Sequence, residues 1–186
     1  TSLKANTIFQ RTLLPLTKWF QAMFLLTQSK NSISGLELAR QLGVRPDSAA
    51  LMRHKLMSVM QAREAGRKYD GRIEMDDAYL GGEQSGGKTG RGSPGKKPIV
   101  VAVQTDEKGR PRRIKLRRIA RFKRRRVKSL TKRILAPGAT VVTDGLACFR
   151  GIADARCVHV PVATRSGRRA ACHPAVPWVN TMLGNR

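Results

Sequence analysis

Acidic residues are scarce in this sequence. Among 186 residues there are 12 Asp and Glu against 37 Lys and Arg, and the formal net charge is +25. A compact fold with this excess would repel itself unless a polyanion screened it. Nucleic acid is the first candidate, because each phosphate that is neutralised releases counterions. An anionic membrane surface is the second, but the sequence has no run of about 18 apolar residues and no lipidation motif. We therefore expect a nucleic-acid-binding protein with no membrane partner.

Cysteine is scarce as well. Cys148, Cys157 and Cys172 are odd in number and form no CxxC pair, so we expect no disulfide framework and a reducing, cytoplasmic setting. The start of the sequence lacks a charged segment followed by an apolar one, which argues against a secretory signal. His159 and His173 lie close to cysteines, but their spacing differs from that of a structural zinc site. We interpret these side chains as buried thiols and a buried histidine.

Residues 1–68 have the pattern of a helical region. Apolar residues at helical spacing predict a helix over 16–28, and Ser34 begins a capping-box pattern before a second helix. Gly43 breaks that helix, and a third begins near Pro46. Two short helices joined by a glycine-bearing turn are typical of a helix-turn-helix, although a plain helical hairpin has the same pattern. The DNA contacts predicted here are Arg53 and Lys55.

Residues 69–186 have the pattern of an α/β domain. Apolar alternation predicts strands over 72–76, 99–104, 112–119, 140–143 and 156–160. Helices are predicted over 123–135 and 146–153. The chain begins at Thr1 without a methionine and stops at Arg186 without a closing element, so we expect a fragment whose second domain is incomplete at its C-terminus.

The segment 82–89 satisfies the Walker A pattern letter by letter. That pattern binds nucleotide only where the loop opens a helix whose N-terminal amides cradle phosphate. Glycines and prolines follow it up to Pro98, and these residues do not build a helix. We therefore expect no nucleotide cofactor and interpret 81–98 as a flexible basic loop near DNA, or as a solvated connector. Its predicted DNA contacts are Lys88 and Arg91.

A run of basic residues extends from Lys108 to Arg133, where fifteen of 26 residues are Lys or Arg. Such a run is often a solvated face. This one leaves the strand-like and helix-like patterns intact, so we expect it to cover folded structure and to contact phosphates without base specificity. The contacts predicted here are Arg117, Arg118, Arg121, Arg124, Arg125 and Arg126.

Two acidic residues stand out against this basic background. Asp76 and Asp144 each lie at the end of an apolar strand and precede a turn or loop, a place where an acid usually caps or binds something. Asp144 with Gly145 also suits an ordinary turn. Phosphoryl transfer on DNA requires hard oxygen ligands for Mg²⁺, and two ions about 3.5–4 Å apart can serve the attacking and leaving oxygens.

Several segments resemble insertion-sequence transposases of the DDE superfamily, in the ISXO-like branch. They are the first catalytic strand at 74–82 with its loop at 86–93, the second at 142–149, the third at 178–185, and helical segments at 15–23 and 42–56. The resemblance spans nearly the whole chain in the correct order. It implies an RNase H-like mixed sheet with flanking helices, in a protein of the bacterial cytoplasm.

The resemblance also implies a metal-binding catalytic triad of Asp76, Asp144 and Asn180, with asparagine where other branches have glutamate. Two Mg²⁺ ions are the implied cofactors, with Mn²⁺ as a substitute. We prefer Asp76 to Asp77 because it aligns with the first aspartate of the family. Strand alternation also puts the two on opposite faces, so that only one should point at the metals, with Glu74 on the Asp76 face.

The resulting expectation is a transposase that cleaves and transfers DNA strands at transposon ends, acting on target DNA as a homo-oligomer, or an inactive remnant of one. Two other functions stay open: a non-enzymatic helix-turn-helix regulator with a basic tail, and a basic RNA-binding protein. Neither alternative requires the acids of the predicted triad to meet in space.

Overall fold

The chain divides into two compact units, Thr1–Gly66 and Arg67–Arg186. The computed structural model describes residues 3–28, 32–81, 95–162 and 176–184. Across these ranges, no helix is both long enough and apolar enough to cross a bilayer.

The first unit is helical. Its elements are α1 (Leu16–Gln28), α2 (Gly35–Leu42) and α3 (Pro46–Ala65). Ser34 caps α2, since its Oγ accepts a hydrogen bond from the backbone N–H of Glu37 (3.1 Å). Gly43 ends α2 in the left-handed conformation at φ 60°, which glycine adopts at little cost. Trp19 is buried in the core that the three helices share. The bounds of α1, the start and end of α2 and the start of α3 thus agree with the sequence prediction.

The second unit is a five-stranded mixed sheet with helices on both faces, which confirms the predicted α/β, RNase H-like class. Its strands are β1 (Arg72–Leu80), β2 (Lys97–Thr105), β3 (Pro111–Arg118), β4 (Thr140–Thr143) and β5 (Val158–Pro161). Their order is β3-β2-β1-β4-β5. The strands β1, β2 and β3 pair in antiparallel fashion, whereas β4 pairs in parallel with β1 and β5. The helices are α4 (Arg124–Ile134), a 3-10 helix (Ala147–Ala155) and α5 (Pro177–Leu183).

The side chains of β2 alternate between two apolar layers. Val100 and Ala102 belong to the larger core, which also contains residues of α4 and the 3-10 helix. Val101 and Val103 lie on the other face and pack with Val179 of α5. Both faces of the central strands are therefore covered, which explains why β2 is apolar at every position from Pro98 to Val103 rather than at every second residue.

The strand β1 is longer than the sequence predicts. It continues to Leu80, paired with Lys97 of β2, so Asp76 lies in the middle of a strand and the expectation that it ends one is wrong. The physical reason is that the two neighbours of β1 differ in extent. Pairing with β4 stops at Glu74, whereas pairing with β2 continues for six more residues.

The segment after β4 is a 3-10 helix rather than the α-helix that a helical pattern suggests. It lies very close to α4. A Cβ placed on Gly151 would lie 2.4 Å from the carbonyl oxygen of Arg124, a distance that real Cβ atoms do not adopt. Glycine at this position therefore allows the two helices to pack on the same face of the sheet.

Candidate metal centre

Two neighbouring strands deliver the predicted aspartates to one place. Parallel pairing of β1 with β4 sets Glu74 opposite Val142. Asp76 lies two residues after Glu74, and Asp144 lies two residues after Val142. β4 itself ends at Thr143, just before Asp144. The parallel register therefore puts the two aspartates side by side, although they are far apart in the sequence.

A third aspartate joins them. Asp76, Asp77 and Asp144 each offer a carboxylate oxygen, and these oxygens all lie within 4.8 Å of one another. All three side chains are half-buried. We refer to them as the carboxylate group. Within the described residues, no other set of three His, Cys, Asp or Glu side chains is arranged to hold a metal ion.

The expectation that Asp77 points away from Asp76 and Asp144 is wrong. Alternation along a strand sets the directions of the Cβ atoms, not the reach of the carboxylates. Asp76 Oδ1 accepts a hydrogen bond from the backbone N–H of Asp77 (2.7 Å), which holds the Asp76 carboxylate along the strand towards its neighbour. The adjacent pair Asp76-Asp77 was the sequence signal for this arrangement.

Asp144 also shapes the turn that follows β4. Its Oδ1 accepts from the backbone N–H of Leu146 (3.0 Å), the hydrogen bond expected of an ordinary turn residue. Thr143 Oγ1 accepts from the backbone N–H of Gly145 (3.1 Å) and lies 2.9 Å from Nε2 of His159 on β5. Partial burial lowers the pKa of His159. These bonds hold the backbone at Asp144 in one conformation.

Glu74 is fully buried on the same face of β1 as Asp76. Its Oε2 accepts from the backbone N–H groups of Trp178 (2.9 Å) and Val179 (3.3 Å), and its Oε1 accepts from Nη1 of Arg72 (2.9 Å). Sequence reasoning put Glu74 on this face but did not find its partners on α5, because they lie more than a hundred residues along the chain.

Asn180 lies on α5 with 8% of its surface exposed. The helix packs on Val101 and Val103, whose cross-strand partners on β1 are Asp76 and Glu74. Asn180 Nδ2 is buried and has no hydrogen-bond partner among the described residues. A half-turn of the carboxamide exchanges its nitrogen with its oxygen, so the group can present an acceptor to a cation or a donor to a phosphate.

The donor atoms of the carboxylate group fit a hard divalent cation. Mg²⁺ and Mn²⁺ prefer carboxylate and carbonyl oxygens, whereas zinc and copper sites are typically built with histidine or cysteine. Three carboxylate oxygens within 4.8 Å of one another also repel each other, and a bound cation would relieve that repulsion. The incomplete hydrogen bonding of Asn180 is a second feature that a bound ion or phosphate would complete.

Basic side chains cover the outer strand and the start of α4. Arg118, on β3, is exposed, and Arg117 beside it is half-buried. A cavity of about 240 Å³ lies beside the start of α4, lined by Ala120, Arg121, Lys123, Arg125 and Arg126. These arginines are exposed, as phosphate contacts must be. Lys88 and Arg91, with the Walker-like segment, lie outside the described residues, as do Cys172 and His173.

Arg124 differs from its neighbours. Its Nε and Nη2 donate to the two carboxylate oxygens of Asp154, both at 2.7 Å. The guanidinium lowers the pKa of Asp154, chiefly through these hydrogen bonds. The ion pair joins α4 to the 3-10 helix, so Arg124 is less suited to bind phosphate than the exposed arginines beside it.

The predicted contacts on α3 are both half-buried. Lys55 Nζ lies 6.0 Å from the centre of the Trp19 ring, at the limit of a cation–π contact. Arg53 Nε is buried without a hydrogen-bond partner in the described part of the chain. An arginine in this position can still extend its Nη atoms to a phosphate, but its burial argues for a packing role too.

One comparison with known proteins identifies the second unit. A family model described as the ISXO2-like transposase domain matches residues 68–186, well over half of the chain. No curated protein matches the chain.

Proposed function

Because the chain belongs to the ISXO2-like family of insertion-sequence transposases, we propose that it cleaves and transfers DNA strands at the ends of its element by metal-dependent phosphoryl transfer. The observation that carries the proposal is the carboxylate group, whose three oxygens lie within 4.8 Å of one another in a protein of net charge +25. Like charges gathered at one point of a cationic protein are explained if they hold cations.

The proposed ligands are Asp76, Asp144 and Asn180, with Asp77 as a fourth candidate because its carboxylate lies in the same group. Two Mg²⁺ ions, or Mn²⁺ in their place, would activate the attacking oxygen and stabilise the leaving oxygen when bound. Asp76 lies on the central strand and Asp144 on the turn after β4. The pairing of β1 with β4 and the hydrogen bond of Asp144 to Leu146 fix the position of one carboxylate relative to the other. Asn180 contributes a neutral carbonyl, so the site carries one negative charge fewer than it would with glutamate.

The proposed DNA contacts are cationic side chains, some exposed and some half-buried. Phosphate binding by arginine positions the duplex and carries no sequence information. We assign this role to Arg117, Arg118, Arg121, Arg125 and Arg126 of the second unit. In the first unit, α2 and α3 would recognise the element ends through Arg53 and Lys55. We further propose that the protein acts as a homo-oligomer that binds transposon ends and target DNA. The proposed location is the cytoplasm of a bacterium.

The test is a nicking assay. A supercoiled plasmid that carries the coding sequence with its flanking DNA is incubated with the protein and Mg²⁺ or Mn²⁺, with EDTA as a blank. We expect metal-dependent nicks with the wild-type protein and none with Asp144→Ala. The matched control is Glu107→Ala, which removes one exposed acid of the same unit and should leave nicking intact. Equal nicking by wild type and Asp144→Ala would refute the assignment.

One observation favours a second function. In the first unit α2 and α3 are joined through Gly43 and Pro46, the arrangement of two helices that a helix-turn-helix needs. A protein that only regulates would bind the flanking DNA through this unit without cutting it. Binding to the plasmid that is unaffected by metal, with no nicks under any condition, would favour this alternative.

A further inference from the structure

Glu74 is a charged side chain with no exposed surface. Removing a carboxylate from water is costly unless hydrogen bonds or opposite charges replace the lost hydration. The three hydrogen bonds of Glu74 come from Arg72 on its own strand and from two backbone N–H groups of α5. The buried charge thus joins the strand of the proposed metal ligands to the helix of Asn180.

The hydrogen bonds of Glu74 cap α5 from another element. The first N–H groups of a helix have no partner within the helix. The residue before α5, Val176, makes no side-chain cap. Glu74 Oε2 instead accepts from Trp178 (2.9 Å) and Val179 (3.3 Å), which satisfies two of those donors with a charged acceptor.

A second bond restrains the same turn. The indole Nε1 of Trp178 donates to the carbonyl oxygen of Gly109 in the β2–β3 turn (2.6 Å). Two attachments on one turn, one through the backbone and one through a side chain, restrict both sliding and rotation of a seven-residue helix. Asn180 is the residue that follows Val179, so these attachments determine where its carboxamide lies.

We propose that Glu74 is a positioning residue: its buried carboxylate holds the first turn of α5 against β1 and thereby places Asn180 for a metal ion bound at the carboxylate group. Glu74 itself is not assigned as a ligand, because it does not belong to the carboxylate group and its two oxygens accept from Arg72 and from α5. This proposal rests on the proposed function, since it assumes that a divalent cation binds there.

The test is a double-mutant cycle on Mn²⁺ affinity, measured by calorimetry without DNA. Residues that orient metal ligands typically contribute about 10–100-fold to metal affinity. We expect Glu74→Gln and Asn180→Ala each to weaken Mn²⁺ binding by roughly tenfold or more. In the Asn180→Ala background, Glu74→Gln should cause no further loss, because there is no longer a ligand to position. Glu107→Gln removes an exposed charge of the same unit and should change nothing.

Two further measurements separate positioning from charge and from misfolding. Glu74→Asp keeps the charge but withdraws the carboxylate by one methylene, so it should weaken Mn²⁺ binding if position matters and leave it unchanged if only charge does. In the metal-free protein, Glu74→Ala, which removes both acceptor oxygens, should accelerate amide hydrogen exchange at Trp178 and Val179. In a Trp19→Phe background, it should also alter the fluorescence of Trp178, which is then the single tryptophan.

The outcomes for the two proposals are distinct. Additive losses in the cycle, or unchanged affinity in Glu74→Asp, would overturn the positioning role while the metal site stands. Wild-type protein that binds no Mn²⁺, or Asp144→Ala protein that binds it as tightly, would overturn the metal site. Unchanged amide exchange at Trp178 and Val179 in Glu74→Ala would overturn the capping of α5 independently of any metal.

Discussion

Asp144→Asn should stabilise the metal-free protein, which is unusual for a substitution at a proposed ligand. The wild-type carboxylate group gathers three negative charges whose oxygens lie within 4.8 Å of one another. At that limit of 4.8 Å, two like charges repel by roughly 0.9 kcal/mol at the dielectric constant of water and by roughly 3.5 kcal/mol at an effective constant of 20. Half-buried groups lie between these values, and the substitution removes two such repulsions.

Two effects of Asp144→Asn oppose this stabilisation, and both are smaller than the repulsion that is removed. The first is a change in the turn after β4, but the new amide keeps an oxygen that can accept from the backbone N–H of Leu146, so the turn is preserved. The second is the loss of one negative charge, which raises the net charge from its wild-type value of +25. Distant charges are screened beyond about 8 Å at physiological ionic strength, so this repulsion adds little. We therefore expect a net gain of about 1–3 kcal/mol, or about 3–10 °C in Tm.

The assay is thermal unfolding followed by circular dichroism in 0.15 M salt, first with EDTA and then with millimolar Mn²⁺. Metal that binds only the folded state should raise the Tm of the wild type, and the variant should lose most of that rise. The reasoning would be refuted if the Tm of Asp144→Asn in EDTA were lower than that of the wild type. It would also be refuted if Mn²⁺ raised the Tm of the variant as much as it raises the Tm of the wild type.

Asp154→Asn is the matched control, and it should change the Tm in the direction opposite to Asp144→Asn. Its carboxylate is paired with Arg124, so its removal should lower the Tm at neutral pH. Because the pKa of Asp154 is lowered below its ordinary value of 3.8, the stabilisation is complete above that value and is lost as the pH falls through the lower pKa of the folded state. Wild type and Asp154→Asn should therefore converge in Tm only at strongly acidic pH.

Two further predictions concern packing and DNA affinity. Gly151→Ala should destabilise the second unit by about 1–3 kcal/mol in thermal unfolding, because a new Cβ would meet the Arg124 carbonyl oxygen at 2.4 Å; Gly66→Ala, with no atom within 4 Å of its Cβ, is the control and should be neutral. Affinity for duplex DNA should fall steeply with salt in fluorescence anisotropy, and replacing both Arg125 and Arg126 by alanine should lower the slope of log K against log salt by about 2. A flat salt response in the wild type would contradict phosphate binding.

Most elements of this fold could be predicted from the sequence because their patterns are local. The helix α1 has the bounds that apolar spacing at Trp19 and its neighbours predicts, and β4 begins and ends where the apolar run 140–143 does. The start of α2 depends on Ser34, a cap that acts within four residues. The α/β class follows from the order of strands and helices along the chain, and local patterns are sufficient to establish that order.

The features that the sequence did not reveal depend on partners distant in the chain. The extension of β1 to Leu80 requires pairing with β2. The complete burial of the Glu74 side chain requires the backbone N–H groups of α5. Asp77 was set aside because alternation describes isolated strands, whereas the hydrogen bond from its own backbone to Asp76 brings the two carboxylates together. Non-local contacts therefore determined the composition of the site, while local patterns determined the elements that carry it.

The elements that carry the site are unequally anchored, and this has a consequence for function. Asp76 and Asp77 lie on β1, which pairs with β2 along its whole length. Asp144 follows a four-residue strand, and Asn180 lies on a seven-residue helix that Glu74 and Gly109 attach to the sheet. Elements with few attachments open locally at lower free energy than the core does. Substitutions that loosen α5 should therefore weaken metal binding well before they lower the melting temperature of the sheet, and a comparison of the two quantities across such variants measures how far the site depends on its least anchored helix.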